Sequence, residues 1–165
     1  MKRETFLEDR RVIKVELGDA LDLSWTPWRF IPLSATDPSI RALVDVVDYD
    51  ELSEFVWNVW HGGGRNAWQI YAKRNVGVTR ATVRMHRVIM IAADPQPDEF
   101  IASHVVDHIN RQTLDNRRAN LRWLTSRANV FNRGSRGSAP SIDDIVRDLI
   151  AGLGARPSLE EIPFP

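Results

Sequence analysis

The sequence predicts an α+β fold, and three observations carry that prediction. Short β-branched and aromatic runs separated by turn residues fill the stretch 28–84. At 85–93 the apolar spacing changes from strand-like alternation to a helical period of about 3.6 residues. A second amphipathic stripe follows near the end, at 142–153.

The elements follow in order. Residues 28–33, WRFIPL, and 41–47, RALVDVV, read as short strands, with Pro32 assigning the first to an edge. Residues 48–55 place acidic side chains early and space Leu52 and Phe55 on one face, a short helix. FVWNVW and AWQIYAKR flank Gly62-Gly63-Gly64 and form a hairpin. Gly77 makes the next turn, and VTRATVRM is another strand. Met85, Val88, Ile89 and Ala92 share one face of a helix that Asp94-Pro95 stops. Residues 104–109, HVVDHI, and 120–124, NLRWL, are strands on either side of a long polar loop. Thr125 is placed to cap a helix over SRANVFNR, which ends at Gly134. Gly134 to Pro140 is a linker. Ser141, with Asp144 three residues on, opens the last helix, whose stripe is Ile142, Ile145, Val146, Leu149, Ile150 and Leu153.

Composition excludes several function classes. The chain has 165 residues, enough for one core, and no cysteine. A disulfide framework, a thiolate nucleophile and cysteine-ligated zinc are therefore excluded. No run approaches the roughly 20 apolar residues of a membrane span. The start, MKRETFLEDRR, lacks the apolar run of a signal peptide. A cytoplasmic protein without a membrane partner is expected, in a bacterium or a phage-infected host.

The formal net charge is zero, but the charge is unevenly spread. Residues 65–91 carry 6 basic and no acidic side chains, and residues 107–136 carry 7 basic and 2 acidic. Residues 1–64 carry 7 basic and 12 acidic ones. Two basic blocks between acidic ends form the electrostatic footprint of a polyanion site. Two solvated basic faces would give the same count.

The chemistry concentrates between Asp107 and Arg133. Asp107-His108 closes one strand, Asn120 opens the next, and Asn129 lies one turn into the helix after it. Asparagine is a poor helix former, so Asn129 needs another reason to be there. If that helix folds back over the strands, Asp107 and Asn129 could offer two oxygens to a hard cation, Mg²⁺ or Mn²⁺. His108 can accept a proton from water near neutral pH. Metal, histidine base and arginines together suit phosphodiester hydrolysis. Neighbours on a regular strand point to opposite faces, so Asp107 and His108 can share a site only where the strand bends or ends.

VVDHINRQTLDNRRANLRWLTSRANVFNR resembles the HNH nuclease family with its ββα-metal motif. It is most similar to the phage and intron-encoded, homing-endonuclease-like branch, whose pattern runs Asp-His, a loop, Asn-Leu-Arg and a helical Asn. VRMHRVIM at 83–90 resembles the Met-His-Arg helix that precedes the active site in that branch. The resemblance extends over roughly residues 41–133. It implies a ββα-metal (His-Me finger) core and a metal-dependent DNA endonuclease that leaves 5′-phosphate and 3′-hydroxyl ends. It assigns the metal to Asp107 and Asn129, the general base to His108, and the bracing of the loop to Asn120. Double-stranded DNA is the implied partner. The family's zinc-stapled members carry cysteines, which this chain lacks, and no counterpart of the DNA-reading helices of some homing endonucleases follows residue 134.

Arg87, Arg117, Arg118, Arg122, Arg127, Arg133, Lys73, Arg74 and Arg80 are the candidates for the phosphate backbone. His86 is a candidate accessory to the site, against the plainer reading that it packs or caps a helix. His104 reads as structural, His61 as a loop residue, and Asp115 as a turn former with Asn116. Trp68 and Trp123 read as packing residues more than base-stacking ones. The expected organisation is a DNA-contacting, strand-rich region at 1–84, a nuclease core at 85–134, and a linker, helix and Pro-rich tail at 135–165. One active site per chain makes nicking the simpler default. Two alternatives are a DNA-binding module that does not cleave and a phage DNA-packaging accessory protein. The second would use the 142–153 helix to dock a protein partner.

Overall fold

The computed structural model describes residues 22–33, 37, 39–63, 69–132 and 139–154, and its first two strands pair as a hairpin. β1 (Trp28–Pro32) runs antiparallel to β2 (Arg41–Asp45), with Trp28 opposite Asp45 and Pro32 opposite Arg41. Ala42, Leu43 and Val44 are all buried, because this short sheet is covered on both faces. The second strand was expected to run through Val47, but the ladder ends at Asp45, where β1 has no further residue to pair. The Val46 N–H donates instead to the Pro27 carbonyl at 2.8 Å, and the chain turns into α1 (Val46–Ser53). Valine's preference for strands is a weak, context-dependent prior, and a missing partner overrides it. Leu52 and Asp48 form the buried side of α1, and Trp57 donates its indole N–H to the Leu52 carbonyl at 2.8 Å.

The second sheet has the order β3 (Asn58–His61), β4 (Ile70–Val76), β5 (Ala81–Arg84), all antiparallel. The expected glycine hairpin joins β3 to β4, although its residues 64–68 lie outside the described part. Gly77 has φ +67° and Arg80 φ +53°, so the β4–β5 turn uses the left-handed region, which costs glycine little and arginine more. β5 runs directly into α2 (Met85–Ala93), which buries Met85, His86, Ile89 and Met90.

A further helix, α3 (Asp98–Ser103), is not foreseen by the apolar spacing. It is six residues long and buries none of them, so it has no periodic stripe to read. Pro97 precedes it and Asp98 and Glu99 occupy its first turn, the usual start signals. The third sheet pairs β6 (His104–His108) with β7 (Leu121–Thr125), His104 opposite Thr125 and His108 opposite Leu121. α4 (Ser126–Asn132) follows at once, with Thr125 Oγ1 accepting from the Ala128 N–H at 3.2 Å, and packs against both strands. α5 (Ile142–Leu153) is capped by Ser141, whose hydroxyl accepts from the Asp144 N–H at 3.0 Å.

The fold is thus mixed α and β, with three small sheets and five α-helices among the described residues. One apolar cluster joins them: Leu43 and Val44 from β2, Met85 and Ile89 from α2, Leu114 and Leu121 around the polar loop, and Ile142, Ile145 and Val146 from α5. The stripe of α5 is therefore used inside the chain. Arg41 reaches Asp143 at 3.2 Å and Gln112 donates to the Pro140 carbonyl at 2.7 Å, fixing this helix to β2 and to the loop. No helix among the described residues is long and apolar enough to cross a membrane.

Candidate active site

The loop 109–120 between β6 and β7 looks solvated from its polar composition, yet Gln112 to Asn116 are all buried. Main-chain bonds explain how. The Leu43 N–H donates to the Leu114 carbonyl and the Asn116 N–H to the Leu43 carbonyl, each at 2.8 Å, so β2 clasps the loop. Asp115 is fully buried and takes four donors: Asn110 Nδ2 at 2.7 Å, two guanidinium nitrogens of Arg117 at 2.8 Å and the Arg117 main-chain N–H at 3.4 Å. A buried carboxylate persists when paired in this way. Asp115 is thus a charged anchor of the loop rather than a simple turn residue. Asn120 closes a single 3₁₀ turn, Arg118–Asn120. Its Oδ1 accepts from the Asn110 N–H at 3.0 Å and its Nδ2 donates to the Asp115 carbonyl at 2.8 Å. Those two bonds span the loop.

His108 sits at the last position of β6, where the strand ends, and is buried. Its Nε2 lies 3.0 Å from Asn116 Oδ1. The His86 ring meets it edge-on with centroids 5.1 Å apart, and Tyr71 from β4 flanks both histidines at 5.8 and 6.2 Å. Burial lowers the pKa of His108, partly offset by the Asn116 bond and the carboxylates of Asp115 and Asp107. Burial lowers that of His86 much further, with His108, Arg84 and Arg87 acting in the same direction. Both rings are therefore neutral at pH 7, the form in which a histidine can accept a proton. The sequence foresees His86 near the site; Tyr71 and Asn116 it does not.

Asp107 faces Arg122 across the hairpin, with Oδ2 accepting from Nε at 3.0 Å and lying 2.9 Å from Nη2 in an ion pair. Asn129 is half-buried on α4, the helix that packs on β6 and β7. Among the described residues no group of three or more His, Asp or Glu is gathered as a metal cage. A carboxylate and an amide oxygen are donor types suited to a hard divalent cation that keeps several waters.

Four of the arginines expected at the phosphate backbone have partners within the chain. Arg117 pairs with Asp115, Arg118 with Asp48 at 2.6 Å, Arg122 with Asp107, and Arg87 donates to the Ile101 carbonyl at 2.7 Å. Each lies beside a carboxylate or carbonyl that needs a donor. Arg74 lies over the Phe55 ring at 3.7 Å, and Lys73 Nζ is 3.4 Å from Asn75 Oδ1. Arg80 and Arg127 are exposed. His104 stacks on Phe100 at 3.7 Å, and Trp123 meets the same ring edge-on. Arg133 and Trp68 lie outside the described residues.

Residues 83–131 match the family model described as HNH endonuclease. Over this segment the chain is similar to HNH endonucleases. The segment begins in β5, takes in α2, the clasped loop and the β6–β7 hairpin, and ends in α4. His86, Asp107, His108, Asn120 and Asn129 all fall within it. The match suggests nuclease activity, and HNH nucleases generally use divalent metal ions. No curated protein and no solved structure matches the chain.

Proposed function

We propose that the chain is a metal-dependent DNA endonuclease that cuts one strand per encounter and leaves 5′-phosphate and 3′-hydroxyl ends. The observation that carries this reading is His108, a neutral buried histidine at the end of a strand inside the HNH segment, one residue from Asp107. His108 would take the proton from the attacking water as general base. Asp107 and Asn129 would hold Mg²⁺ or Mn²⁺, and a cation there supplies electrostatic stabilisation of the charge that develops on the phosphate. Asn120 would keep the loop closed through its two bonds to Asn110 and Asp115. Exposed basic side chains, Arg80 and Arg127 among them, would neutralise the DNA backbone and add position rather than sequence information.

A second reading has one observation in its favour. The Asp107 carboxylate is already engaged by Arg122, as it would be in a DNA-binding module whose metal site is idle. Supercoiled plasmid separates the two. The nuclease reading expects conversion to the open circle with Mg²⁺ or Mn²⁺, loss of cutting in EDTA, and recovery when the metal is returned in excess. DNA binding without conversion under any of these conditions supports the idle module.

A further inference from the structure

We propose that Asn116 is a positioning residue for His108: by accepting a hydrogen bond from Nε2–H, it fixes the imidazole in the tautomer that leaves the Nδ1 lone pair available as the base. The inference rests on the nuclease reading above and adds a role for a residue which that reading does not use.

The geometry carries it. Asn116 Oδ1 lies 3.0 Å from His108 Nε2, and both side chains are buried. The other end of the Asn116 amide, Nδ2, lies 3.5 Å from Met85 Sδ. A thioether sulfur accepts hydrogen bonds weakly and donates none. Turning the amide over would set its carbonyl oxygen against that sulfur and leave a buried acceptor unsatisfied. The oxygen therefore faces the imidazole. A carbonyl oxygen only accepts, so in the neutral ring the proton is on Nε2. Nδ1 carries the lone pair, and it has no hydrogen-bond partner among the described residues.

Asn116 itself has little freedom. It is fully buried, and its N–H is tied to the Leu43 carbonyl at 2.8 Å. Its neighbour Asp115 is anchored by Asn110 and Arg117. The His86 ring at 5.1 Å and Tyr71 at 6.2 Å confine the imidazole from other sides. Such outer partners fix a histidine's tautomer and its ring direction together.

The test uses the full chain with Mg²⁺ at pH 8, where the ring is neutral. Nitrogen-15 spectra of the histidine rings identify which nitrogen carries the proton, and the His108 signals are those lost in His108→Ala. The expected result is a single tautomer with a slowly exchanging Nε2–H. A proton on Nδ1, or averaging between the two nitrogens, overturns the proposal. Asn116→Ala should lose the slow exchange and at least about 10-fold in kcat with KM unchanged. Asn116→Asp, which keeps an acceptor oxygen in place, should restore the protected Nε2–H. Full kcat in a folded Asn116→Ala protein also overturns it. Should Asn116→Ala fail to fold, the unmodified protein's spectrum decides alone. Should the unmodified protein fail to cut DNA, the nuclease reading falls, while the spectrum still judges the tautomer.

Discussion

Asp115 shows how much a single side chain settles here. It has no exposure, accepts from Asn110 and Arg117, and fixes the loop that carries Asn116 and Asn120. The Arg117 side chain is itself only 14% exposed, so deleting the carboxylate leaves a mostly buried cation without its partner. Asp115→Ala should therefore destabilise the protein by about 3 kcal/mol or more, the cost of breaking a buried pair from one side. Urea unfolding of the two proteins measures it, and a loss below about 1 kcal/mol would deny the pair this anchoring role. Part of the site is legible in the sequence at this scale. Asp107, His108, Asn120 and Asn129 stand out because their residue types and spacing have a chemical reason to meet. Asn116 and Tyr71 do not, because their importance comes from packing between segments far apart in the chain. Nor does spacing show that Arg117, Arg118 and Arg122 each lie beside a carboxylate.

At the scale of elements, α2 makes the pH dependence of stability predictable. It carries His86 into the core, where burial holds the ring's pKa far below its usual value. His108 is shifted in the same direction. In the unfolded chain both titrate near 6.5. As pH falls below that value the unfolded chain binds protons that the folded one refuses, so stability drops. Its contribution is fully present above 6.5 and is lost toward acid, at up to about 1.4 kcal/mol per pH unit for each ring. Melting temperature should fall between pH 7.5 and 5.5, and His86→Phe should make that fall shallower. Melting curves that superimpose across this range would contradict the burial argument. The bounds of the same helix were legible, because its apolar spacing has a helical period and Asp94-Pro95 ends it, but the face it buries is Met85, His86, Ile89 and Met90, and Ala92 of the expected face is exposed. α5 was legible for the same reason. The boundary at Asp45 and the short α3 were not. The first depends on where a partner strand stops, and the second buries nothing.

Across the whole molecule, the N-terminal strands are part of what shapes the candidate site. β2 clasps the loop through Leu43, Asp48 of α1 holds Arg118, and Asp45 accepts from the Arg118 N–H at 2.7 Å. α5 reaches the same loop from the other end of the chain through Pro140 and Gln112. The HNH segment therefore shares its core and its loop contacts with residues outside 83–131. The unequal charge along the sequence has a matching structural cause. The acidic N-terminal part supplies Asp45 and Asp48, which engage Arg118 of the second basic block, while Arg117 and Arg122 pair with Asp115 and Asp107 within that block, which leaves fewer arginines for DNA than the sequence count implies.

His108 is proposed here as the base of a DNA-cutting site. The most direct measurement compares wild type and His108→Ala for the rate of plasmid nicking in Mn²⁺, with DNA binding measured on the same preparations. A loss of at least about 100-fold in cutting is expected, with binding retained. Nicking by the variant at the wild-type rate would contradict it.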